Sequence, residues 1–201
     1  MTEAAYPELS VAGFAWDFAA QLKMACKHGE GTLLSRPENP DRARDIKSQV
    51  DFLFQMLKPG SRVLEIGTNC GHFTYLALLI GAASVDTIEI DRGCLPAIDM
   101  LKSRFGDQIR TYLGDSDDVL KQWTVRFQFD VAWVDGSHDS AAALKDLQHC
   151  ERLGIPLILV DDYNNRSVSE AVHRFVDHSP FRIAATSGKA WRREAVAIKL
   201  R

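Results

Sequence analysis

The sequence is short of cysteine, of long apolar runs and of excess charge. Its four cysteines among 201 residues are far apart, and none has Cys-x-x-Cys spacing. We therefore expect reduced thiols, without a disulfide framework or a zinc knuckle. No apolar run approaches the roughly 20 residues of a membrane-spanning helix, and the N-terminus lacks the basic and apolar segments of a signal peptide. These absences predict a soluble, cytoplasmic protein with no membrane partner.

The charge balance argues against a nucleic-acid partner. Lys and Arg number 24 and Asp and Glu 27, so the net charge is −3 and no strong basic field exists. The 46% hydrophobic and 25% charged content is typical of a globular protein. The length suits one domain with a sizeable core. The composition leaves a homodimer open.

Most of the chain alternates between apolar, strand-like runs and amphipathic helical segments. The predicted strands are residues 62–66, 85–90, 109–113, 129–134 and 156–160. The predicted helices that follow them are residues 71–80, 94–105, 116–122, 137–153 and 166–178. This alternation predicts a doubly wound α/β fold, in which helices cover both faces of a mostly parallel sheet.

The two ends of the chain depart from this rhythm. Residues 9–27 and 41–57 are predicted helices. Residues 181–185 and 194–200 predict a C-terminal antiparallel hairpin that finishes the sheet. We expect a single domain. Residues 1–45 should form a helical extension that covers the substrate side of the binding site, and residues 46–201 should form the ligand-binding core.

The first predicted strand runs into the loop Glu65-Ile66-Gly67-Thr68-Asn69-Cys70-Gly71. Gly67 permits unusual backbone angles and close ligand approach, and the amides at the start of the helix after Gly71 favour a carboxylate. Glu65 suits an ammonium group. The loop therefore favours a zwitterionic amino-acid group over a pyrophosphate, although a plain strand-to-helix turn would need the same glycines.

Acidic residues also end the second and third predicted strands. Glu89 follows the loop by about twenty residues, where a carboxylate can accept both ribose hydroxyls. Asp115 and Ser116 follow the third strand and can reach an adenine edge, although Asp115 could instead be only a helix N-cap. The three strand ends together predict a nucleoside site beside the loop.

With these motifs, the chain from about residue 47 onward resembles the class I methyltransferases, a Rossmann-like family. Glu65, Gly67 and Gly71 match the first motif of that family, which implies S-adenosylmethionine as the ligand, with Thr68 and Asn69 in the same loop. Glu89 matches its ribose-binding acid, and Asp115 with Ser116 matches its adenine-contacting turn. The resemblance implies a methyltransferase.

Three more aspartates end the fourth and fifth predicted strands, which we expect to be neighbours beside the methyl donor. They are Asp135, Asp161 and Asp162. Converging carboxylates raise one another's pKa unless a cation neutralises them, and their hard oxygens suit Mg²⁺, Mn²⁺ or Ca²⁺. We therefore predict a divalent-cation site, with Asp135 facing the donor as well. The alternative is that these aspartates only cap the following helices.

The strand ends also look like those of the cation-dependent O-methyltransferases, including catechol O-methyltransferase and the sugar O-methyltransferases of antibiotic pathways. Several of those enzymes have a lysine base three residues after the first metal aspartate. His138 stands at that position here and departs from the lysine. The resemblance implies His138 as the general base, Mg²⁺ or another hard cation as cofactor, and a small-molecule hydroxyl, such as a catechol or sugar diol, as acceptor.

Three other functions stay open. A metal-independent enzyme of the same fold could methylate nitrogen or a carboxylate, and a non-catalytic protein could keep only the donor site. A nicotinamide oxidoreductase is disfavoured, because the loop reads Glu-x-Gly-x-x-x-Gly and not Gly-x-Gly-x-x-Gly.

Overall fold

The computed structural model describes residues 11–27, 34, 40–123, 129–188 and 194–201. The strands in this part of the chain are β1 (Arg62–Ile66), β2 (Ser84–Glu89), β3 (Ile109–Leu113), β4 (Val131–Val134), β5 (Leu157–Val160), β6 (Phe181–Thr186) and β7 (Val196–Leu200). The helices are α1 (Trp16–Ala25), α2 (Pro40–Met56), α3 (His72–Ile80), α4 (Leu95–Phe105), α5 (Ser116–Lys121), α6 (Ser140–Arg152) and α7 (Arg166–Asp177). None of the helices described here is long and apolar enough to cross a membrane.

The strands form one sheet of seven, in the order β3-β2-β1-β4-β5-β7-β6. The first five are mutually parallel, whereas β7 lies antiparallel between β5 and β6. This confirms the predicted doubly wound fold and its antiparallel C-terminal strands. The strand order reverses between β1 and β4, and the carboxyl ends of both strands meet at this switch point, where open α/β sheets bind ligands.

Alternate residues of the central strands pack into two separate cores. Val63 and Trp133 face the core shared with α1 to α4, where Trp133 stacks on Phe73 at 4.6 Å between ring centroids. Leu64 and Val134 face the core shared with α6 and α7. Because the sheet is covered on both faces, its strands carry unbroken apolar runs. All four cysteines are buried.

Two helices begin three or more residues later than the sequence predicted, and both starts have a local cause. α1 begins at Trp16 because the chain turns at Gly13, which has φ 77°. α6 begins at Ser140, where the Asp139 side chain accepts hydrogen bonds from the Ala141 and Ala142 amides. An N-cap in extended conformation ends the preceding loop, so residues 137–139 are not helical.

Candidate functional site

A cavity of about 590 Å³ opens at the switch point. Its wall includes six of the predicted cofactor residues: Gly67, Asn69, Glu89, Asp115, Ser116 and Asp135. Among the described residues, the cavity is lined by one lysine, Lys145, and by seven carboxylate side chains: Glu89, Asp91, Asp115, Asp117, Asp135, Asp139 and Asp146. This acidic wall disfavours a pyrophosphate and suits a ligand with cationic groups.

Gly67 is held where the β1 loop crosses the exit of β4. Its φ is 88°, and a Cβ there would lie 2.1 Å from the carbonyl oxygen of Asp135. Both the backbone angle and the contact require glycine. Gly71, with φ 75°, precedes α3, and a Cβ there would lie 2.2 Å from Leu101 Cδ1. The two glycines therefore let the loop pack tightly against β4 and α4.

Glu65 does not line the cavity. It is 1% exposed, and its Oε2 accepts hydrogen bonds from the hydroxyls of Thr74 and Thr87, both at 2.5 Å. Burial raises the pKa of Glu65 to about 7, although the two threonine hydrogen bonds oppose the shift. Thr68 is also buried and contacts the Thr87 hydroxyl. Glu65 and Thr68 thus hold the loop in place through buried hydrogen bonds.

Glu89 lies in the cavity wall at the exit of β2. Its Oε2 accepts a hydrogen bond of 2.7 Å from the Asn69 amide, and its Oε1 accepts one of 2.8 Å from the Asp91 amide. Asn69 has a positive φ of 48°, a conformation that asparagine tolerates better than most residues. One carboxylate therefore ties the β1 loop to the β2 exit.

Asp115 and Ser116 lie where β3 passes into α5. Asp115 is the N-cap, and its Oδ1 accepts hydrogen bonds from the Asp117 and Asp118 amides, so the capping role is observed. Ser116 Oγ donates a hydrogen bond of 2.6 Å to Asp146 Oδ1. Burial raises the pKa of Asp146 to about 6. These residues form the β3 end of the cavity.

Asp135, His138 and Asp162 come together at the exits of β4 and β5. Each offers one ligand atom, and the three atoms lie within 4.8 Å of one another. His138 Nε2 is 3.0 Å from Asp162 Oδ2 and 4.0 Å from Asp135 Oδ1. Asp135 also lines the cavity, so this group, which we call the Asp-His-Asp group, adjoins the cavity.

Asp161, the third predicted ligand, lies outside the Asp-His-Asp group and is 2% exposed. Asp162, by contrast, has a φ of 50°, which turns the chain away from the extended line of β5. Consecutive side chains of a strand point to opposite faces, and of these two aspartates Asp162 is the one in the Asp-His-Asp group.

The helix-capping alternative does not account for the aspartates after β4 and β5. Asp139, and not Asp135, caps α6, and Asn165 caps α7 through a side-chain hydrogen bond from the Ser167 amide. Neither Asp161 nor Asp162 is the N-cap of α7. Among the predicted site residues, Asp115 is therefore the one whose side chain caps a helix.

Sequence reasoning missed the contribution of α6 to the cavity. Asp146 and Lys145 both line it, together with Asp139 at the N-cap. Asp146 shares the buried face of α6 with Ala143 and Cys150, at helical spacing. A carboxylate within such an apolar stripe is rare without a partner. This pattern in the sequence could have identified Asp146 as a candidate site residue.

The strand order, the glycine loop and the acidic cavity define a nucleoside-binding α/β domain at this switch point. Residues 64–163 match a family described as a methyltransferase domain. Over 74 residues, 37% of this chain, the sequence is 36% identical to ribosomal RNA small subunit methyltransferase A of Novosphingobium aromaticivorans. The match spans only 25% of that relative.

Solved structures share the fold along nearly the whole chain. A methyltransferase of Podospora anserina, solved with S-adenosylhomocysteine, has a TM-score of 0.67 at 14% identity, over 96% of this chain and 91% of its own. A candidate O-methyltransferase of Klebsiella pneumoniae has a TM-score of 0.66 at 16% identity, over 97% and 91%. The solved structures show the shared fold, and the family match identifies residues 64–163 as a methyltransferase domain.

Proposed function

We propose that the protein methylates a hydroxyl oxygen of a small molecule, with a divalent cation held by the Asp135 and Asp162 carboxylates of the Asp-His-Asp group. The observation that carries this proposal is the closeness of Asp135, His138 and Asp162 beside the cavity. Carboxylate oxygens are ligands that suit Mg²⁺ or Mn²⁺. When bound, such a cation lowers the pKa of a coordinated hydroxyl and orients it. A vicinal diol offers two oxygens to one ion.

The residues of the cavity wall support binding of the methyl donor there. Glu89 ends β2 in the position suited to ribose hydroxyls, and the loop at Gly67 leaves main-chain groups accessible. The many carboxylates are favourable for a sulfonium and an ammonium group. Asp135 belongs both to the cavity wall and to the Asp-His-Asp group, which supports methyl transfer at this point.

His138 is the proposed general base. A hydrogen bond from Nε2 to the Asp162 carboxylate, at 3.0 Å, needs the proton on Nε2. Nδ1 then has the free lone pair that can accept a proton from the acceptor hydroxyl. The side chain is 50% exposed, so a proton can pass on to solvent.

The test measures methyl transfer to a panel of catechols and sugar diols, together with Mn²⁺ binding by calorimetry. EDTA should abolish transfer and Mg²⁺ should restore it. His138→Gln should lower kcat by about 10²-fold or more and leave Mn²⁺ affinity unchanged, whereas the exposed control His178→Gln should behave as wild type. Loss of Mn²⁺ binding in His138→Gln would make His138 a ligand and not the base. Full activity in EDTA would refute the cation.

A second candidate is metal-independent methylation of RNA. It is favoured by the 36% identity over 74 residues to a ribosomal RNA methyltransferase. The net charge of −3 and the acidic cavity wall weigh against it. Transfer to ribosomal RNA in the presence of EDTA, without transfer to any diol, would select this function. Donor binding without turnover on either panel would instead indicate a non-catalytic binding protein.

A further inference from the structure

Asp146 places a carboxyl group inside the cavity that no sequence motif of the donor site includes. The residue lies on α6, is 2% exposed and yet contributes to the cavity wall. Its Oδ1 accepts the Ser116 hydroxyl at 2.6 Å. Within the described part of the chain, Oδ2 has no hydrogen-bond partner, and it lies 3.4 Å from where a Cβ on Gly136 would be. Asp146 therefore presents one oxygen between the exits of β3 and β4.

The hydrogen bond from Ser116 determines which groups this corner of the cavity can recognise. Ser116 has one hydroxyl hydrogen, and Asp146 Oδ1 receives it. The lone pairs of Ser116 Oγ can then only accept, and an ionised Asp146 is an acceptor as well. The two side chains thus form a pair of acceptors, which is complementary to a group with two N–H donors.

We propose that Asp146 selects the adenine of the methyl donor by accepting a hydrogen bond from its 6-amino group at Oδ2, while Ser116 Oγ accepts the second. A 6-oxo purine has an acceptor oxygen at that place and meets two further acceptors. Asp115 Oδ1 is not the acceptor for the 6-amino group, because that oxygen already accepts the two amide hydrogen bonds that cap α5. The inference rests on the proposed donor site and names a specificity-determining residue within it.

The experiment compares the binding of S-adenosylhomocysteine and its 6-oxo analogue, S-inosylhomocysteine, by calorimetry at pH 8. Burial raises the pKa of Asp146 to about 6, assisted by Asp115 and Asp117 and opposed by Ser116 and Lys145, so the carboxyl is ionised at pH 8. Wild type should prefer the adenine compound by about ten- to a hundredfold. Asp146→Asn, whose amide can donate to a 6-oxo group, should reduce the preference to less than about threefold.

Matched variants distinguish this role from a loss of fold or charge. Asp118→Asn makes the same charge change on the exposed side of α5 and should keep the full preference. Ser116→Ala removes the second acceptor and should lower the preference even if Asp146→Asn does not fold. An unchanged preference in folded Asp146→Asn, or in Ser116→Ala, would overturn the inference and leave the donor site intact. Failure of wild type to bind either nucleoside would overturn the donor site, and this inference with it.

Discussion

Gly67 is a residue on which the geometry of the loop after β1 depends directly. Its positive φ and the 2.1 Å that would separate a Cβ from the Asp135 carbonyl oxygen are independent constraints. The first is a local backbone cost that any non-glycine residue would meet there. The second arises because the loop after β1 touches the exit of β4, so a side chain would push apart the two segments that form the cavity.

We predict that Gly67→Ala destabilises the protein by about 1–3 kcal/mol or more and removes donor binding. Gly60→Ala is the matched control, because Gly60 has a similar φ of 84° but no atom within 4 Å of an added Cβ. Urea unfolding and calorimetry with S-adenosylhomocysteine measure both effects. Equal losses of stability in the two variants, with binding retained in both, would contradict the contact with Asp135.

Glu65 makes the stability of the protein depend on pH. Its carboxyl has a pKa of about 7 in the folded protein against 4.5 for an ordinary glutamate, with burial as the main cause. Between these values the folded state binds more protons than the unfolded state, so stability is full below pH 4.5 and is lost as the pH rises through 7. The full shift corresponds to about 3 kcal/mol.

We therefore predict that the wild-type free energy of unfolding falls by about 2–3 kcal/mol more between pH 5 and pH 8 than that of Glu65→Gln. Glutamine keeps an oxygen that can accept from Thr74 and Thr87 but does not ionise. Urea unfolding of both proteins at the two pH values gives the difference directly. Parallel pH profiles would show that Glu65 is ionised in the folded protein at neutral pH.

Among the helices, α6 links most parts of the site. Its N-cap Asp139 and its residues Lys145 and Asp146 line the cavity. Lys145 and His149 also contact Asp117 of α5, at 3.0 and 2.9 Å. Hydrogen bonds from Lys121, His149 and Lys145 hold the pKa of Asp117 well below its usual range. These contacts join α6 to α5, as does the hydrogen bond between Asp146 and Ser116.

The N-cap residue Asp139 should contribute measurably to the stability of α6. Asp139→Ala removes the acceptor for the Ala141 and Ala142 amides and should cost about 1 kcal/mol, whereas Asp139→Asn should be nearly neutral because asparagine caps as well. The midpoint of urea unfolding, at constant slope, measures the loss. If alanine proved neutral, the first turn of α6 would be held by other contacts.

The whole molecule is organised around β1 and β4, which lie at the centre of the sheet and bring the loop after β1 beside the exit of β4. Val63, Leu64 and all four residues of β4 are buried. β3 lies at one edge of the sheet, and several of its residues are partly exposed. Stability should accordingly decrease from the centre of the sheet towards its edges.

We predict that amide hydrogen exchange is slowest in β1 and β4 and at least tenfold faster in β3 and β6. The central strands can exchange only through global unfolding, whereas the edge strands also open locally. Mass spectrometry of peptides from each strand provides the rates. Equal protection in β3 and β1 would mean that the sheet opens as one unit.

Much of this architecture follows from local sequence pattern. The unbroken apolar runs of the strands and the breaks at Gly and Pro predicted five parallel strands, whose carboxyl ends must share one edge. That argument alone brought Gly67, Glu89, Asp115 and Asp135 to one cavity. Boundaries that depend on a cap, such as Asp139 before α6, were predicted less well, because a loop aspartate resembles any other until its partner amides are known.

By itself, the sequence determined the fold class and the identity of the strand ends, including the loop from Glu65 to Gly71. Only the tertiary structure decided where the side chains point. It turned Glu65 inward to Thr74 and Thr87 and grouped His138 with Asp162. It also brought Asp146 to Ser116, thirty residues away along the chain. The physical reason is that periodicity specifies which face of an element is buried, whereas the direction of a side chain at a strand exit depends on backbone angles and on partners from distant elements.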